Sequence, residues 1–102
     1  MKISVITVSL NSALTIEETI KSVISQKNKN EIEYIIIDGG STDKTIEIIN
    51  NYKSDIDFFL SENDKGIFDA INKGIKYSTG DIISILHSDD IFFNNQTIDS
   101  VV

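Results

Sequence analysis

Three runs of apolar residues stand out along the chain: Ile3 to Leu10, Tyr34 to Ile37 and Ile82 to Leu86. They are rich in Ile and Val and run continuously instead of alternating with polar residues. This is the pattern of strands covered on both faces. Asp57 to Leu60 is a shorter, weaker fourth strand. Between these runs the apolar residues fall at helical spacing. Ile16, Ile20, Val23 and Ile24 form one stripe, with Thr15 before it and Glu18 three residues on, a capping-box pattern. Ile46, Ile49 and Tyr52 form a second, capped by Ser41 or Thr42. Phe68, Ile71 and Ile75 form a third that ends near Gly80. Thr97 to Val102 reads as the opening of another helix.

Strand and helix therefore alternate through four strands, which predicts an α/β fold with a mainly parallel sheet, right-handed crossovers and helices on both faces. There is no proline, no low-complexity linker and no internal repeat, so no domain boundary is expected within the 102 residues. Four strands and a trailing helix start look like a domain cut short.

Composition narrows the function classes. Hydrophobic residues make up 40% and charged residues 25%, ordinary for a globular protein. The chain has no cysteine, which excludes disulfides and thiolate metal sites. The net charge of -7 argues against a nucleic-acid surface and is compatible with a divalent-cation site. The apolar run at the N-terminus is too short for a signal peptide, and none is long enough to span a membrane.

In open α/β sheets ligands bind beyond the carboxyl ends of the strands. Thr7, Ser9 and Asn11 end or follow the first strand, and Asp38-Gly39-Gly40-Ser41-Thr42-Asp43 follows the second. Glu62-Asn63-Asp64-Lys65-Gly66 follows the third, and His87-Ser88-Asp89-Asp90 the fourth. Polar and acidic groups thus collect along one edge, where Thr7, Ser9, Asp38, Lys65 and Asp89 are expected to line one cleft. Asp38 fits two roles, an acceptor for a base or ribose and a turn former with the two glycines. Asp89 and Asp90 suit a hard cation, and equally a turn or a helix cap. His87, the only histidine, fits a ligand or a structural residue. Lys65 fits a phosphate partner or a solvated loop. The chain lacks the phosphate loop G-x-x-x-x-G-K-[ST], the dinucleotide fingerprint G-x-G-x-x-G after the first strand and the nucleophile elbow G-x-S-x-G.

Four segments in order resemble family 2 glycosyltransferases, which have the Rossmann-like GT-A fold. Ile6-Thr7-Val8-Ser9-Leu10-Asn11, followed by a Glu-Glu helix and Ser22 to Gln26, is similar to the family's opening. Ile37 to Thr45 is similar to its D-[DG]-G-S-T-D-x-T, with Gly39 where many members have a second Asp. Ser61 to Gly74 resembles the stretch that lies along the nucleotide. Thr79-Gly80-Asp81, the fourth strand and Ser88-Asp89-Asp90 resemble the DXD-type motif, with His87 where many members carry Asp.

The resemblance implies transfer of a sugar from a nucleotide-diphosphate donor, a UDP- or GDP-sugar, to a saccharide or lipid-linked acceptor hydroxyl, usually with inversion. It implies Mn²⁺ or Mg²⁺ held by Asp90 with Asp89. It implies nucleotide binding by Thr7, Ser9, Asn11, Asp38, Lys65, Ser88 and Asp89. It implies a cytoplasmic setting, at or near the inner face of the membrane, in hexosyl transfer for cell-surface polysaccharide. The family's catalytic base lies after the DXD-type strand, in an acceptor half that these residues do not match. The expectation is therefore a donor-binding part, residues 1–102, inactive alone and prone to form homo-oligomers. Two rivals fit less well. A nucleotidyltransferase needs a Gly-rich basic loop after the first strand, where this chain has Ser9-Leu10-Asn11-Ser12-Ala13. A non-catalytic, Mg²⁺-binding receiver-like module needs acids after the first and third strands, and the first strand here ends in Thr7, Ser9 and Asn11.

Overall fold

The computed structural model describes residues 2–27, 31–63 and 65–88. Asp64, Asp89, Asp90 and the helix start expected from Thr97 lie outside them. In chain order the elements are β1 (Ile3–Ser9), α1 (Ile16–Lys27), β2 (Ile32–Asp38), α2 (Thr45–Asn50), a 3-10 turn (Lys53–Asp55), β3 (Phe58–Ser61), α3 (Ile67–Tyr77) and β4 (Ile82–His87).

The four strands form one sheet in the order β3-β2-β1-β4, and every pairing is parallel. β1 is buried along its whole length, as its continuous apolar run requires. Because side chains alternate across a strand, the sheet splits its apolar residues into two cores. Ile3 and Val5 of β1 join Tyr34 and Ile36 of β2 and pack against Ile16, Ile20 and Val23 of α1 and Ile49 of α2. Ile6 and Val8 join Ile35 and Ile37 on the opposite face and pack against Ala70 of α3.

α1 begins at Ile16, directly after Thr15, and is preceded by a turn in which the Ser12 carbonyl accepts the N–H groups of both Thr15 and Ile16. Two local expectations change. At α2 neither Ser41 nor Thr42 caps the helix. The Ser41 hydroxyl is taken by Asp38, and Asp43 accepts the Thr45 N–H at 2.9 Å instead. Phe68 is not on the inward face of α3. It is 78% exposed, while Ala70 and Gly74 are buried. The helix lies so close to β1 that a Cβ at Gly74 would sit 2.4 Å from Cγ2 of Ile6.

A polar clasp fixes the start of β4 at the amino end of the sheet. Glu33 accepts hydrogen bonds from the Ser4 hydroxyl and from both the N–H and hydroxyl of Thr79, each at 2.8 Å. Lys2 pairs with Glu33 at 3.4 Å and its backbone N–H donates to Asp81. Gly80 fits here because it has no Cβ, which would approach Ser4 Oγ to 2.5 Å.

Candidate functional site

At the opposite, carboxyl end of the sheet, β1 has its neighbours on either side joined by different crossovers. Its own crossover leads to β2, while β4 arrives on the other side. The divergence of the two connections leaves a crevice there. A cleft of about 630 Å³ opens at this point. Its walls are the end of β1 and the loop to α1 (Val8 to Thr15), Asp43, the start of α3 (Gly66, Ile67, Ala70) and His87 and Ser88 from the end of β4.

Of the expected site residues, Ser9, Asn11 and Ser88 line this cleft. The loop holding them is braced from the second strand. Asn11 adopts a left-handed φ of 49°, a conformation that Asn tolerates better than most residues. Its N–H donates to Ser41 Oγ at 2.8 Å, and its side-chain oxygen accepts the Thr42 N–H at 2.9 Å. Asp43 accepts the Ala13 N–H from the same loop.

Asp38 lies behind the cleft, fully buried. Its Oδ1 accepts the hydroxyls of Ser9 at 2.7 Å and Ser41 at 2.6 Å. Its Oδ2 accepts the N–H groups of Gly40 and Ser41 and the Ser61 hydroxyl at 2.9 Å. Burial acts to raise its pKa. The bonds from Ser41, Ser9 and Ser61 outweigh burial and hold the carboxyl below its ordinary value. The side chain thus ties together the ends of β1, β2 and β3.

Thr7 does not line the cleft. It is enclosed within the sheet, where its hydroxyl lies 2.9 Å from the Tyr34 hydroxyl. The alternation of β1 explains this, since Thr7 shares the face of Ile3 and Val5, covered by α1 and α2. Lys65 is exposed beside the cleft, its N–H donating to Asp69, but it is not one of the lining residues. Asp89 and Asp90 follow Ser88 directly in sequence and lie outside the described residues. Among the described residues no group of three or more His, Cys, Asp or Glu side chains could hold a metal ion.

Ser12 and Thr19 are missed by reading strand ends alone. The Ser12 hydroxyl meets that of Ser88 at 2.6 Å, and the Thr19 hydroxyl donates to the Ser88 carbonyl at 2.8 Å. Thr19 left a signal in the sequence, a polar residue on the apolar stripe of Ile16, Ile20 and Val23.

The chain matches the family model described as Glycosyl transferase family 2 over residues 4–102. The chain belongs to glycosyl transferase family 2. Within the family it is 40% identical over 90 residues to an uncharacterized glycosyltransferase of Mycobacterium tuberculosis, covering 88% of this chain and 34% of that protein. Among solved family 2 structures it resembles Staphylococcus aureus TarS 1-349 in complex with UDP-GlcNAc, with 29% identity and a TM-score of 0.84. That match covers 98% of this chain and 30% of that one. It also resembles the glucosyl-3-phosphoglycerate synthase of M. tuberculosis in complex with Mn²⁺, UDP and phosphoglyceric acid. There the identity is 28% and the TM-score 0.71, over 85% of this chain and 32% of that one. The family 2 chain described here spans about a third of the length of the curated relatives it matches. The observed sheet, mainly parallel with helices on both faces, is that of the GT-A fold. Among the described residues no helix is long and apolar enough to cross a membrane.

Proposed function

We propose that residues 1–102 are the nucleotide-sugar-binding part of a metal-dependent hexosyltransferase. On this reading the acceptor-binding half corresponds to the portion of the relatives that this chain does not span. The observation that carries the reading is the cleft at the carboxyl end of β1 and β4. It is polar at Ser9, Asn11 and Ser88 and is entered by the chain just before Asp89-Asp90. A UDP- or GDP-sugar would place its nucleoside along the loop after β1 and its diphosphate toward β4. Ser9, Asn11, Ser88 and Asp89 would contact it, Lys65 would face it from the rim, and Asp38 would hold Ser9 and the following loop in place. The complexes of the relatives with UDP-GlcNAc and with Mn²⁺ and UDP support this assignment.

The donor set fits a hard divalent cation, Mn²⁺ or Mg²⁺. Two adjacent carboxylates, Asp89 and Asp90, follow a residue of the cleft wall, and such cations take oxygen ligands from one or two carboxylates together with substrate phosphates. A bound cation would offset the negative charge growing on the leaving diphosphate. In the transfer itself the acceptor oxygen bonds to the anomeric carbon as the bond from that carbon to the diphosphate oxygen breaks. The hydroxyl proton passes to a carboxylate base of the acceptor half. The proposed setting is the cytoplasmic side of the membrane, in assembly of a cell-surface polysaccharide from a saccharide or lipid-linked acceptor.

Calorimetry with UDP and with GDP, each with and without Mn²⁺, tests this. Nucleotide binding is expected to tighten with Mn²⁺, and Asp90→Ala to remove that gain. Equal affinity with and without the ion would overturn the metal assignment, and no binding of either nucleotide would overturn the donor site.

A further inference from the structure

The last described residue of the cleft wall, Ser88, is gripped from three directions. Its N–H donates to the Val8 carbonyl at 3.2 Å, one step beyond the last paired residues of β1 and β4. Its hydroxyl meets the Ser12 hydroxyl at 2.6 Å. Its carbonyl accepts the Thr19 hydroxyl at 2.8 Å. Ser12 Oγ also lies 3.2 Å from the Leu10 carbonyl. One hydroxyl has one proton, so a Ser12 that donates to Leu10 is free to accept from Ser88.

Thr19 has no exposed surface, sits among Ile16, Ile20 and Val23 on the buried face of α1 and does not line the cleft. A hydroxyl in such a position is costly unless it is satisfied, and its short bond goes across to β4. The Thr15 carbonyl of its own helix is farther, at 3.5 Å. The carbonyl it holds belongs to the peptide unit that joins Ser88 to Asp89. That unit is planar, so a hold on the Ser88 oxygen restrains rotation of the whole unit.

We propose that Thr19, together with Ser12, is a positioning residue for the two carboxylates that follow Ser88. By this clasp on the carbonyl and hydroxyl of Ser88, the residue before Asp89, they tune the affinity for a divalent cation and a diphosphate, Thr19 from outside the cleft and Ser12 from its wall. The inference rests on the reading of the cleft as a donor site.

Binding of UDP with Mn²⁺ and of uridine, which has no diphosphate, separates the two. Thr19→Val keeps the side-chain shape and removes the hydroxyl. Its affinity for UDP with Mn²⁺ is expected to fall about five- to tenfold, the size of one lost hydrogen bond, with uridine affinity unchanged. Thr19→Ser is expected to restore the wild-type value. A Thr19→Val protein that binds UDP with Mn²⁺ like the wild type overturns the proposal, as does an equal loss of uridine affinity, which marks a merely structural role. Should Thr19→Val not fold, Ser12→Ala carries the test. A loss of about two- to fivefold confined to UDP with Mn²⁺ supports the clasp, and no change overturns it. If the wild-type chain gains no UDP affinity from Mn²⁺, the donor-site reading itself fails, an outcome distinct from failure of the clasp alone.

Discussion

The Asp38 carboxylate accepts hydrogen bonds at both oxygens from Ser9, Gly40, Ser41 and Ser61. Replacing it by Asn would set an amide N–H₂ against donors, leaving buried groups without acceptors. Asp38→Asn is therefore expected to cost about 2–3 kcal/mol of stability, read as a lower urea midpoint at pH 7. The same argument predicts acid sensitivity. Burial acts to raise the pKa of Glu33, but the bonds from Thr79 and Ser4 and the charge of Lys2 outweigh it and bring the group from 4.5 to about 2. A group with a depressed folded-state pKa contributes stability that is present above its unfolded value and lost as pH falls through the folded one. Thermal melts should thus drop between about pH 4.5 and pH 2, and Glu33→Gln should flatten that limb. In the sequence Asp38 stood between ligand contact and turn former. The partners that occupy it, Ser9 and Ser61, come from strands 29 and 23 residues away, and no local pattern reveals them.

Helix α3 shows how far periodicity reaches at the scale of an element. Phe68, Ile71 and Ile75 marked a helix, and a helix forms there with Ile71 packed against the core, but the fully buried positions facing the sheet are Ala70 and Gly74. Apolar spacing finds a helix because its signal is the repeat. It misses the face when small residues allow close approach and a large one, Phe68, is left outside. Gly74→Val should cost about 1–3 kcal/mol by overpacking, although an exposed helical Gly replaced by Ala would gain up to about 1 kcal/mol. Ile6→Ala also removes a fully buried side chain, and the double variant Gly74→Val with Ile6→Ala should lose less than the sum of the two single losses, because the Val then has room. Additive losses in denaturant titrations of the single and double variants would show that the two sites do not meet. The strands were legible to within about two residues, because both faces of β1 and β2 are covered and their apolar residues are not confined to alternate positions; β2 starts at Ile32, two residues before the run from Tyr34.

For the whole molecule, alternation of strand and helix gave the parallel sheet and the edge on which the cleft lies. It could not say that Thr7 is turned away from that edge or that α1 reaches across to β4. Around the cleft and α3 several large apolar side chains are open to solvent, Leu14 at 98% and Phe68 at 78% among them. Exposed apolar surface of this kind favours association. The chain alone is expected to form dimers or larger assemblies by light scattering, despite its net charge of -7, and Phe68→Lys to shift it toward monomer. A wild-type monomer would refute this. No sugar transfer is expected from the chain alone, because rate depends on donor, acceptor and base being held together. Turnover of a UDP- or GDP-sugar onto any acceptor would contradict that.

The pairing of β1 with β4 has a further consequence. Ile3 lies opposite Ile82, and the backbone of Lys2 is bonded to Asp81 across 79 residues. β1 and β2 can meet once the chain has reached Asp38, but the wall that β4 contributes must wait for Ile82 to His87. Closing so long a loop adds little to the thermodynamic cost, which grows only with the logarithm of length. Its effect is on time, since distant parallel pairings form slowly. During synthesis, the wall from β4 is the last of the described elements to come into being.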